Sequence, residues 1–128
     1  MLLPFIPADV HRVELLRVST DREGDVVRRD PLAAVSGADA AAIAQLVADL
    51  PDGEIKRCFN PVYGLEVRGA AGVLVEIAFC FRCHSALVAV PGGDRSEFLG
   101  FDPGSAAGRE LLARFKAADR PGTRPVGA

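Results

Sequence analysis

Residues 10–18 alternate in polarity: Val10, Arg12, Glu14 and Leu16 take one parity, His11, Val13, Leu15 and Arg17 the other. Period-two alternation sends successive side chains to opposite faces, so the stretch predicts a strand. Asp21-Arg22-Glu23-Gly24-Asp25 is a polar turn, and a weaker strand follows through residues 26–29. Pro31 removes a ladder donor and leaves 30–35 without a clear assignment. From Ser36 the spacing changes. Ile43, Leu46, Val47 and Leu50 recur at helical intervals on an alanine-rich background, with Asp39 in the first turn and Pro51-Asp52-Gly53 as the stop.

Asn60-Pro61 marks a turn before a short strand in which Leu65 and Val67 oppose Glu66 and Arg68. Gly69-Ala70-Ala71-Gly72 is a hairpin loop. The strongest β signal runs over residues 73–90, with Val73, Val75, Ile77, Phe79, Phe81 and Cys83 on one parity and Glu76, Cys80, Arg82 and His84 on the other. Fully extended, such a stretch would span roughly 60 Å, against a radius of gyration of roughly 14 Å for a domain of this length. It must therefore bend or turn, and the polar patch Arg82-Cys83-His84-Ser85 is the expected place, with Cys80 and Cys83 on either side of the distortion. Pro91-Gly92-Gly93-Asp94 is a turn, and Phe98, Leu99 and Phe101 form a last strand. Asp102-Pro103-Gly104-Ser105 starts a second helix with Leu111, Leu112, Phe115 and Ala118 on its apolar stripe and Glu110 and Arg114 placed as an i,i+4 pair. Pro121-Gly122 ends it.

The order β, β, α, β, bent strand, β, α predicts an α+β two-layer sandwich: a mostly antiparallel sheet of five to six strands with two helices on one face. Residues 1–120 form one domain and 121–128 a flexible tail.

Composition narrows the function classes. With 128 residues the chain can bury a core without metal or disulfide staples. Fifteen basic and 17 acidic residues are interspersed, and there is no Trp and one Tyr, so neither a positive field nor a stacking platform for nucleic acid is present. No uninterrupted run of 18 apolar residues occurs, which speaks against a transmembrane helix. The opening segment 1–7 has no basic residue and two prolines, unlike a secretory signal, so a cytoplasmic protein is expected. Its three cysteines are then expected to stay reduced, and any internal pairing would leave one thiol over.

Those cysteines carry the only candidate chemistry. Cys80-Phe81-Arg82-Cys83-His84 matches the C-x-x-C-H haem-attachment string, but the absence of an export signal and of any methionine besides Met1 opposes it, leaving only His11 as a second axial ligand. Cys58, Cys80, Cys83 and His84, or His11 in its place, could hold zinc, because thiolates and imidazole suit a tetrahedral site. Against this, the string lacks a second C-x-x-C and a glycine near the knuckle, and Cys83 and His84 are adjacent. A C-x-x-C dithiol could exchange electrons, though the usual activating helix N-terminus is missing. A Cys58–His84 nucleophile pair has no further support. Glu76 and Arg82 read as a cross-strand charge pair. The bland reading is packing, since free cysteine behaves as a small hydrophobe.

Arg57-Cys58-Phe59-Asn60-Pro61, Gly64-Leu65-Glu66-Val67 and Cys80-Phe81-Arg82-Cys83 together resemble a family of small uncharacterised bacterial proteins carrying R-C-F-x-P-x-x-G-L-x-V followed by a C-F-x-C strand. The resemblance covers residues 57–83, implies a common fold and brings no activity. Relatives often have Arg-His where this chain has Val62-Tyr63, and the residue after C-F-x-C need not be histidine, which makes His84 and the haem string incidental. The favoured expectation is a non-enzymatic protein-interaction or accessory domain, immunity-like, with structural cysteines. A zinc or redox protein using Cys58, Cys80 and Cys83 is the alternative, and a c-type haem protein the remote one. A protein partner is compatible with the sequence, nucleic acid and membrane are not expected, and the oligomeric state is left open.

Overall fold

In the computed structural model, residues 1, 3–56, 58–93 and 96–120 are described. The segment 121–128, expected as a tail, lies outside them, as do Arg57 and the Asp94 of the 91–94 turn. Six strands form one antiparallel sheet: β1 (Arg12–Thr20), β2 (Val26–Ser36), β3 (Tyr63–Gly69), β4 (Gly72–Cys80), β5 (Ser85–Ala89) and β6 (Ser96–Gly100). Their spatial order is β2-β1-β3-β4-β5-β6. Helix α1 (Gly37–Ala48) connects β2 to β3, and α2 (Ala106–Ala118) follows β6.

Register explains the two layers. Leu15, Leu65, Ile77 and Val88 lie abreast on β1, β3, β4 and β5, and all are buried against Ile43, Val47, Leu111 and Phe115 of the helices. One residue along, Leu16, Gly64, Ala78 and Leu87 form the matching row on the helix-free face, where a small apolar patch includes Val18, Val26 and Phe59. The predicted α+β sandwich with both helices on one side is the observed architecture. Glu14, Glu66 and Glu76 also stand abreast on the open face. Like charges directly opposite repel, and each has its own arginine: Arg12 at 3.4 Å, Arg68 at 2.6 Å and Arg29 at 3.8 Å. Glu76 thus pairs with Arg29, not with Arg82 as its strand position suggested.

Strand β2 continues through Pro31 to Ser36, well past the expected end. It is an edge strand, so the missing N–H of Pro31 breaks no ladder the fold needs. The register skips Leu32 there, pairing Leu15 with Ala33 and Leu16 with Pro31, and Leu32 is buried. Ser36 does sit at the start of α1, but its hydroxyl caps nothing. In α2 the expected start holds: Ser105 Oγ accepts from Gly108 N–H at 3.1 Å, and Arg114 donates to Glu110 at 2.9 Å.

The 73–90 stretch is two strands, β4 and β5, joined by a turn at residues 81–84. Cys83 N–H donates to Cys80 C=O at 3.2 Å to close it. His84 leaves it with φ of 57°, the sole non-glycine at positive φ among the described residues. Between α1 and β3, the described residues of 51–62 form no helix or strand. They are tied across the turn: Lys56 N–H donates to Cys83 C=O at 3.0 Å, and Asp102 N–H to Pro51 C=O at 3.0 Å. Gly53 and Gly100 pass so closely that a Cβ on either would strike backbone.

Candidate sulfur site

The turn after β4 defeats the parity of the sequence. Phe79 points to the helices and is fully buried, so Cys80 leaves the opposite face. In a continuous strand Cys83 would have returned to the helix side. The reversal instead carries it round to meet Cys80, and residues 58–61 fold over from the open face, with Phe59 packing edge-on to Phe98 at 4.9 Å. The Sγ atoms of Cys58, Cys80 and Cys83 all lie within 4.8 Å of one another.

Two of the three sulfurs are bonded. Cys58 and Cys83 form a disulfide across a Cα–Cα distance of 5.5 Å, and Cys80 is a free, buried thiol beside it. This corrects the expectation of three reduced cysteines. The pairing depends on residues 51–62 crossing the hairpin tip, a contact between parts of the chain 25 residues apart. Cys58 is exposed, whereas Cys80 and Cys83 are 2% and 0% exposed.

Phe81 anchors the turn. Its ring lies 5.7 Å from Phe79, 5.5 Å from Phe101 and 6.1 Å from Phe115, so the reversal is nailed into the helix-side core by an aromatic cluster. Tyr63 stacks on Phe115 at 4.9 Å and donates its hydroxyl to Asp119 at 3.0 Å. A cleft of about 210 Å³ opens beside this cluster, with Asn60, Val62, Tyr63, Cys80, Arg82 and Leu112 among its walls. Ser85 stands directly across the ladder from Cys80, hence on the same face. Its hydroxyl is buried and has no hydrogen-bond partner among the described residues.

Of the four candidate ligands, Cys58, Cys80 and Cys83 are brought together, and His84 is not one of the group. What His84 supplies is backbone: its left-handed conformation fills the place where the sequence lacked a glycine, and its C=O accepts from Phe101 N–H at 3.0 Å. His11 lies at the far end of the sheet, beside Arg68, and is exposed. Within the C-x-x-C string, Cys83 is bonded to Cys58 and Cys80 is the free thiol. The same bond occupies the sulfur of the Cys58–His84 pair considered as a nucleophile. The sequence marks Ser85 only as part of the polar patch at the bend, and its place opposite Cys80 emerges with the register of a hairpin turned at 81–84.

No family model matches the chain, and no curated protein or solved structure matches it at a significant level. Among the described residues no helix is long and apolar enough to cross a membrane.

Proposed function

We propose that this protein is a small cytoplasmic thiol-switch domain of non-enzymatic character, in which the Cys58–Cys83 bond opens and closes with redox state. The observation that carries the reading is one disulfide and one thiol held within 4.8 Å at a single corner. Disulfides in a reducing cytosol are transient, and serve redox sensing or exchange. Cys58 is the exposed residue of the pair, so the external thiol attacks on its side of the bond. That attack forms a mixed disulfide on Cys58 and releases Cys83 as a thiolate. A second external thiol then frees Cys58, so two external thiols become one disulfide and their protons pass to the two protein sulfurs. Alternatively the Cys80 thiolate attacks Cys83, forming a Cys80–Cys83 bond and expelling Cys58 as the thiolate, with sulfur and charge conserved. Either route unties residues 51–62 from the hairpin tip.

Thiol counting on the native protein equilibrated with glutathione buffers of graded ratio tests this. The expected midpoint lies above roughly −300 mV, the range below which structural disulfides fall. A bond that stays closed throughout the buffer series would refute the switch and leave a staple.

A protein-interaction role has its own support. Phe98, half exposed on edge strand β6, sits over Phe59, and Ile55 in the crossing segment is similarly exposed. The apolar residues beside the disulfide are thus those a partner protein would meet. Sedimentation of oxidised and reduced protein, with a Phe98→Ser control, distinguishes a surface that associates from a strict monomer in both states.

A further inference from the structure

The three sulfurs have an arrangement that a disulfide alone does not require. A disulfide uses two, yet the third is held within 4.8 Å of both and is buried. A tetrahedral zinc–thiolate centre with bonds of about 2.3 Å places its sulfurs about 3.8 Å apart. Opening the Cys58–Cys83 bond and spreading those two sulfurs to that spacing brings all three into range of one ion.

A second observation points the same way. Ser85 is 1% exposed and lies directly across from Cys80, and its buried hydroxyl has no partner among the described residues. A buried hydroxyl without a partner is costly. A thiol is a weak acceptor, whereas a metal-bound thiolate is a charged one, and outer hydrogen bonds of this kind tune metal sites. The C-x-x-C turn supplies two sulfurs from one reversal, with its exit residue already in the left-handed conformation.

We propose that the reduced protein binds one zinc ion through Cys58, Cys80 and Cys83, with Ser85 as a positioning residue that donates to the Cys80 thiolate, and that oxidation to the Cys58–Cys83 disulfide releases the ion. Three protein ligands leave one position open. Cys80 also lines the cleft of about 210 Å³, from which a water or a small ligand reaches that position. The release step balances with a diazene oxidant: the Cys58 and Cys83 thiolates lose one electron each and form the S–S bond, the oxidant takes both electrons and two protons from solvent to become a hydrazine, and the ion departs.

This inference rests on the switch reading, and the test separates the two. Protein is reduced without denaturant, freed of reductant and oxygen, and its thiols are counted before cobalt(II) is added as a coloured stand-in for zinc. Three thiols, then a thiolate-to-cobalt charge-transfer band saturating at one equivalent and displaced by zinc, is the expected result. Three thiols and no such band overturn the metal site while leaving the switch. A count fixed at one overturns both. Cys80→Ser should weaken cobalt binding by more than the roughly 10–100-fold that losing an outer hydrogen bond costs, and Ser85→Ala by about 10-fold with the band shifted. His84→Gly should bind as the parent does. Equal affinity of Cys80→Ser and the parent would remove Cys80 from the site. Diamide added to the zinc-loaded protein should release one ion per disulfide formed, read with a chromogenic chelator, and retention of the ion would contradict the coupling.

Discussion

The two hairpin tips flanking β4 solve the same problem with different means. At one end Ala70 and Ala71 reverse the chain between Gly69 and Gly72, with the positive φ of 137° falling on glycine. At the other, four residues are used, a histidine takes the left-handed conformation, a half-buried phenylalanine packs against the core as an anchor, and two cysteines meet a third from a distant segment. A reversal needs only the first. The second tip holds residues beyond what turning requires, and among them are the sulfurs on which the proposed switch rests.

The sharpest way to break this contrast is to remove the anchor. Phe81→Ala should cost about 3 kcal/mol through loss of packing on Phe79, Phe101 and Phe115, and should speed alkylation of Cys80. Ala70→Ser at the other tip should change neither quantity. Chemical denaturation with timed alkylation reads both.

Next comes the bond. Cys58→Ser removes the cross-link of a 25-residue separation, for which loop-closure entropy gives about 3.5 kcal/mol. In a domain of this length that lowers Tm by about 10 °C. Protection of amides in residues 51–62 should fall while those of β1 and β3 stay slow, as seen by hydrogen exchange.

Gly64→Ala probes the floor of the open face. A Cβ there would stand 2.9 Å from the Ile77 carbonyl and 3.0 Å from Val18 Cγ1, neither easily moved, so a loss of about 1–3 kcal/mol is expected in thermal unfolding. The smallest effect is His84→Gly. It relieves a left-handed non-glycine residue and should stabilise by about 1 kcal/mol. Destabilisation instead would show that the imidazole contributes to the turn.

Much of the fold was legible because burial writes itself into local pattern. The helix stripes and the strand faces follow from periodicity, the turn residues 102–105 mark the start of α2, and the length of the 73–90 stretch demanded a bend or turn that its polar patch placed near Arg82. Strand β2 was half hidden because Pro31 signals a break except at a sheet edge, and edge position is a property of the assembled sheet. The sulfur site was legible in its members and hidden in its geometry. Parity assigned Cys80 and Cys83 to opposite faces, which holds until the chain reverses. The pairing of Cys58 depends on a segment without regular structure crossing the hairpin tip, and no local pattern encodes that contact. Gly64 is required by the close approach of Val18 and Ile77, which only the paired strands reveal.

The central claim is that three sulfurs at one corner divide reversibly into a bond and a thiol. Differential alkylation with peptide mapping tests it directly: label free thiols, then reduce and label the rest with a second reagent, on protein equilibrated in oxidising and in reducing glutathione buffer. The oxidised sample should carry the first label on Cys80 alone and the second on Cys58 and Cys83, and the folded reduced sample should carry the first label on all three. First label on Cys58 and Cys83 in both buffers, or the bond persisting in the reducing buffer, would contradict it.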